Sequence, residues 1–186
     1  MQKIIRVAAI AAAFVAAGAQ AQVYVEGSYL PTKISGDHGM NSDPKPSAFM
    51  GIVGYDLHPN LAIEGAIGLG LGSGSSSVTD IDTNTTYNIK TKIKSSYGVY
   101  LKPRYQISDE LEVFARVGYL KSKFENSISL GNISASESIS EGSTAWALGG
   151  NYKLNSNLYL TAAYNQLHSK DGVKVKGLNF GVGSKF

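Results

Sequence analysis

Imidazole is the usual general base at neutral pH, so the histidines are the first residues to consider for chemistry. There are three: His38, His58 and His168. Placing His38 beside Ser77 and Asp80, or His168 beside Ser169, would give a nucleophile and its base, as in acyl transfer. Neither spacing forces those side chains together, and His58 lies in a tight-turn signature, so no catalytic set is assigned and no enzyme is expected. Asp80 and Asp82 are an isolated acidic pair without metal-ligand spacing, and no metal or cofactor is expected. The chain has 186 residues and no cysteine, which excludes thiol catalysis, disulfides and cysteine-held zinc or iron–sulfur centres. There is no Gly-rich phosphate loop and no basic aromatic RNA motif, and a formal charge of +3 is too small to argue for nucleic acid.

Two sets of charged side chains remain. Glu26, Glu64, Lys102, Arg104, Glu112 and Arg116 are embedded in apolar segments, and Lys121, Lys123, Lys174 and Lys176 flank such segments. Their chemistry depends on the elements that carry them.

Residues 1–21 read as an export signal. Lys3 and Arg6 form a charged start, an apolar run follows, and Ala19-Gln20-Ala21 is a small-residue cleavage site. The run is too short to span a bilayer, which needs about 20 apolar residues. The mature domain is expected to be 22–186. Without Lys3 and Arg6, the 17 basic residues fall to 15 against 14 acidic ones, so most of the positive balance belongs to the signal.

Beyond the signal, period-2 alternation dominates. Leu61, Ile63, Ile67, Leu69 and Leu71 alternate with Ala62, Glu64, Ala66, Gly68 and Gly70. Ile89, Thr91, Ile93, Ser95, Tyr97, Val99 and Leu101 alternate with Lys92, Lys94, Ser96, Gly98, Tyr100 and Lys102. Successive strand side chains point to opposite faces, so each strand has one greasy face and one polar or small face. A hairpin pattern recurs about every fifty residues. Tyr55-x-Leu57-His-Pro-Asn-Leu61-x-Ile63 is matched by Tyr105-x-Ile107-Ser-Asp-Glu-Leu111-x-Val113 and by Tyr152-x-Leu154-Asn-Ser-Asn-Leu158-x-Leu160. In each, three turn formers separate the arms, and Leu57 is expected opposite Leu61, Tyr55 opposite Ile63. Strands at 23–30 and 174–186 bring the expected count to eight. The polar stretches 31–46, 73–88, 121–141 and 168–172 are expected to be mobile loops at the end opposite the tight turns.

An exported eight-stranded sheet is either a soluble barrel with an apolar interior or a membrane barrel with an apolar exterior. The minority face here carries the six embedded charges beside small residues, which a soluble core would not bury. Large residues facing lipid and charges facing inward resolve the conflict. Tyr55, Tyr105 and Tyr152 sit on the greasy face beside the turns, as one interfacial girdle does; Tyr29, Tyr97, Tyr119, Trp146 and Tyr164 would supply the other. Strands of about 9–11 residues suit the crossing. The fold expected is all-β, an eight-stranded antiparallel up-and-down transmembrane β-barrel in the bacterial outer membrane.

The layout, with Ser96-Tyr-Gly-Val-Tyr-Leu-Lys-Pro-Arg-Tyr105 and Glu112-Val-Phe-Ala-Arg-Val-Gly-Tyr119, resembles the small outer-membrane β-barrel family: OmpA-type transmembrane domains, OmpX/Ail and opacity-type barrels. Phe180, Val182 and the terminal Phe186 resemble the signal read by the barrel-assembly machinery. The resemblance implies a structural and surface-interactive role, with loops touching host or matrix ligands. OmpA-type chains continue into a peptidoglycan-binding domain; this sequence departs from that pattern at Phe186, so tethering is not expected.

Within that frame, Glu26, Glu64, Lys102 and Arg116 are expected at one height in the lumen, with Arg104 and Glu112 below. They would form a charge network that plugs the interior, or a gate to a narrow pore. Lys121, Lys123, Lys174 and Lys176 continue the lipid side beyond the apolar band, where they are either ordinary solvated rim charge or contacts to lipopolysaccharide phosphates. Pro103 is expected at a bulge. Membrane lipid and lipopolysaccharide are the partners expected, and the protein is expected to be a monomer.

Overall fold

The computed structural model describes residues 23–36, 44–80, 85–130, 133–170 and 172–186. The signal segment with Ala19 and Ala21, and also His38 and Asp82, lie outside them. Eight strands follow in chain order: β1 (Val23–Ser35), β2 (Ser47–His58), β3 (Leu61–Asp80), β4 (Thr85–Gln106), β5 (Leu111–Leu130), β6 (Ile133–Lys153), β7 (Leu158–Lys170) and β8 (Val173–Lys185). Each pairs antiparallel with the next, and β8 returns to β1, closing the barrel. Closure leaves no sheet edge in the apolar band, as lipid requires, because no water there could satisfy an open edge.

Alternation decides the faces. Ile63, Ile67, Val99, Leu101, Val117, Leu160, Leu178 and Phe180 stand exposed on the outside. Tyr55, Tyr105 and Tyr152 ring the outer face beside the turns, and Tyr29, Tyr97, Tyr119 and Tyr164 ring it higher up, where Trp146 packs on Tyr164. Inward rings need room. Gly54 lies directly beneath the Tyr24 ring and Gly183 beneath that of Tyr159, so close that a Cβ at either position would collide with the ring.

The structure departs from the expected layout in several places. The strands are 12 to 22 residues long, beyond the 9–11 that cross lipid. Much of 73–88 and 121–141 therefore lies in strands: β3 pairs with β4 out to Asp80↔Thr85, and β5 with β6 out to Leu130↔Ile133. The four strands β3–β6 rise as a sheet above the shorter wall of β7, β8, β1 and β2. Their serine- and threonine-rich segments pair residue for residue, and cross-strand pairing outweighs their loop-like composition.

Phase is the second departure. Ile93 pairs with Phe124 but Ser95 with Lys123, so Lys94 is an extra residue in β4. This bulge reverses the alternation. Thr91 and Ile93 are buried inside, while Lys90, Lys92 and Lys94 are exposed. A second bulge, at Leu167, places His168 opposite Val175 and turns it inward. His168 is thus a buried strand residue and not a loop residue. A third, at Leu57, sets His58 opposite Leu61; Tyr55 does face Ile63. Pro103 needs no bulge: it pairs with Leu61 on β3, and the β4–β5 ladder resumes at Arg104↔Phe114 in unchanged register.

Candidate functional site

The lumen is packed in three layers. Nearest the tight turns, Arg104 Nη2 lies 2.7 Å from Asp56 Oδ2, and its Nε lies 3.7 Å from Glu112 Oε2. Arg104 Nε also donates to the Pro59 carbonyl at 2.9 Å. Asn151 Nδ2 donates to Glu112 Oε1 at 2.8 Å, and Lys185 Nζ stands 3.5 Å from Asp56 Oδ2. Two cations face two anions.

The next layer has the same balance. Arg116 grips Glu64 through Nε–Oε2 at 2.7 Å and Nη2–Oε1 at 3.1 Å, and reaches Glu26 Oε2 at 2.8 Å. The Tyr24 hydroxyl donates to Glu64 Oε1 at 2.5 Å. Lys102, 1% exposed, lies 3.5 Å from Glu64 Oε1 and over the rings of Tyr24 and Phe114. Desolvating charges costs several kcal/mol per ion, so such groups persist inside only when paired and hydrogen-bonded.

Above lies an apolar layer. Leu30, Ile34, Met50, Ile52, Tyr100, Leu120, Leu167 and Val175 form one buried cluster, with Phe124 and Val173 packed against it. The inward face is therefore not uniformly small and charged, as alternation suggested. The four residues expected at one height do meet, and Arg104 and Glu112 lie below them. Sequence reasoning passed over Tyr24, Asp56, Asn151 and Lys185. Tyr24 shares its strand phase with Glu26, and Asp56 shares its phase with the inward Gly54, so that signal was present.

The outer rim is lysine-rich on two opposite walls. Lys121 and Lys123 sit beside Tyr97 and Ser95 on the β4–β5 wall. The Lys94 bulge adds Lys90, Lys92 and Lys94 to that wall. On the other wall, Lys176 pairs with Lys33, and Lys174 with Ser35. Lys94 lies 2.6 Å from Glu125 Oε2, and this hydrogen bond holds the Glu125 carboxyl below the usual carboxylate range. Phe180, Val182 and Phe186 are exposed on the outside, and the Phe186 N–H donates to the Val23 carbonyl at 3.0 Å.

Higher still, the β6–β7 ladder stops at Trp146↔Gln166, while β6 runs on to Ile133. Residues 133–145 pair with β5 on one side and, among the described residues, have no ladder partner on the other. On the inner face of this edge Ile139 is 41% exposed. His58 is exposed in its turn and accepts from the Asn60 N–H at 3.3 Å. No group of three potential metal ligands occurs among the described residues.

A family model described as outer membrane protein beta-barrel domain matches residues 5–186. Among solved structures, Ail, the attachment invasion locus protein of Yersinia pestis, superposes with a TM-score of 0.61 at 20% identity, covering 90% of this chain and 100% of that one. Ail in complex with the heparin analogue sucrose octasulfate gives 0.60 at 18%, with coverage of 90% and 100%. Neisserial surface protein A gives 0.57 at 17%, covering 88% of this chain and 97% of that one. At such identities the likeness is one of fold. A comparison with curated proteins finds no match.

Proposed function

The chain belongs to the outer membrane protein beta-barrel domain family, and from that membership we propose that it is a non-conducting barrel of the bacterial outer membrane that braces the envelope and makes surface contacts. The sheet β3–β6 supports this reading. It stands above the girdle and carries an unpaired edge at 133–145, a template to which an extended segment of another protein adds as a further strand. The lysines of both walls lie on the outer side, and on this reading they meet phosphates of the outer leaflet. Lys121, Lys123, Lys174 and Lys176, with Lys90, Lys92 and Lys94, suit phosphate or sulfate groups by charge. The likeness to Ail, solved with a heparin analogue, is compatible with that chemistry.

The mature domain is 22–186 on this reading, with residues 1–21 removed after Ala21. Phe180, Val182 and Phe186 serve the assembly machinery. The two charge layers and the apolar layer above them favour a plug over a gated pore, because an ion would have to displace paired charges and then cross greasy packing. Lipid A chemistry is the remotest alternative: Ser169, next to the buried His168, is exposed.

The test compares the full protein with one whose hairpins are shortened at 76–88 and 127–136, both checked for heat-modifiable migration. Binding to host-cell surfaces and matrix should fall with the hairpins, and both proteins should stay at baseline conductance in planar bilayers. Stepwise conductance would favour the pore; unchanged binding would remove the surface role.

A further inference from the structure

β6 and β7 both continue past the end of their shared ladder, β6 through 133–145 and β7 to Lys170. A side-chain contact crosses the gap where backbone pairing has stopped. The Leu167 bulge turns His168 inward, where it is 3% exposed, and its Nε2 lies 3.4 Å from Glu141 Oε2 on β6. The Phe124 ring meets the imidazole edge-on, with centroids 6.0 Å apart. The Glu141 side chain is 37% exposed, so solvent protons reach the pair.

We propose that His168 and Glu141 form a proton-operated clasp that fastens the free edge of β6 to the barrel rim. Without the bulge, His168 would point outward and could not reach across. Neutral imidazole meets the carboxylate as a dipole at best. Imidazolium meets it as an ion pair with a charge-assisted hydrogen bond, roughly twice as strong. Among the described residues, the other charged groups on this inner surface are Glu137 of β6, which adds to the attraction for imidazolium, and Lys170 of β7, which opposes it. From the remaining elements the described inward residues near it include Ile34, Thr91, Ile93, Phe124, Val173 and Val175, all uncharged. Acid therefore closes the clasp and neutral pH loosens it.

The consequence rests on the surface-contact reading above: residues 133–145 are presented as a docking edge at neutral pH and drawn toward β7 in acid. Free edges attract unwanted pairing, and a contact that restrains one is a known form of protection.

Backbone amide exchange of the full chain in lipid nanodiscs tests the clasp without any ligand. At roughly pH 5.5 and 7.5, after correction for intrinsic rates, the amides around Glu141 should exchange at least about threefold more slowly in acid. His168→Gln and Glu141→Gln should each abolish that difference. Heat-modifiable migration shows which variants form the barrel, and either one alone decides the matter. A wild type indifferent to pH, or an acid effect that survives in either folded variant, overturns the proposal. Binding by the hairpin-shortened protein decides the surface reading separately, so the two failures are distinguishable.

Discussion

Arg116 of β5 and Glu64 of β3, 52 residues apart in sequence, meet in the lumen as a two-pronged pair, Nε to Oε2 at 2.7 Å and Nη2 to Oε1 at 3.1 Å. A planar guanidinium matches a carboxylate in this way, which a lysine cannot do. The same Nη2 also reaches Glu26, so one cation holds two buried anions and joins β1, β3 and β5.

Arg116→Ala should cost about 3–5 kcal/mol, because it leaves Glu26 and Glu64 buried with too little positive charge. Denaturant unfolding in phospholipid vesicles measures this. The apolar layer is untouched, so bilayer conductance of the variant should stay at baseline; open-channel steps would reinstate the gate.

Gly54→Ala should displace the Tyr24 ring from above the glycine and weaken the Tyr24–Glu64 hydrogen bond, at a cost of about 1–3 kcal/mol. Combining it with Tyr24→Ala should give a non-additive double-mutant cycle, since the second change removes the collision. Additive costs would mean that the ring and the glycine do not share that space.

Val99→Arg places a charge on the lipid face and should destabilise the barrel by about 2–4 kcal/mol if Val99 lies near the bilayer midplane. Lys121→Arg, above the apolar band, should be near neutral in the same vesicle assay. Equal costs would contradict the assigned band.

Reversing Lys121, Lys123, Lys174 and Lys176 to Glu should reduce lipopolysaccharide retained on purification, and adding Lys90, Lys92 and Lys94 should reduce it further. Retention by the wild type should also weaken with salt, since exposed charges are screened within about 10 Å at 0.1 M. Unchanged retention would remove the contact.

Glu125 supplies a pH prediction. Its folded carboxyl is held down by Lys94, so the pair's stabilisation is present above the unfolded value and is lost as pH falls through the lowered folded value. In a carboxyl titration by NMR, Lys94→Gln should move the Glu125 midpoint up toward 4.5. A midpoint that stays in place would assign the shift elsewhere.

The strand count, the tight turns, the girdle and the inward placement of Glu26, Glu64, Lys102, Arg104, Glu112 and Arg116 were legible in the sequence. Each follows from period-2 alternation and turn chemistry, which are local properties of a strand. Tertiary structure alone decided where alternation breaks. A bulge adds one residue to one strand, and whether Lys94 or Leu167 is the extra one depends on how the neighbouring strands pair, so Ile93 changed faces and His168 passed from an expected loop to the inner wall without any mark in their own segments. It also decided which buried charges meet. Arg116 finds Glu64 and Glu26 because the stagger of the strands brings β1, β3 and β5 to one height, a relation spread around the whole ring. The extra strand length has the same origin: serine-rich stretches become strands because their partners run alongside them.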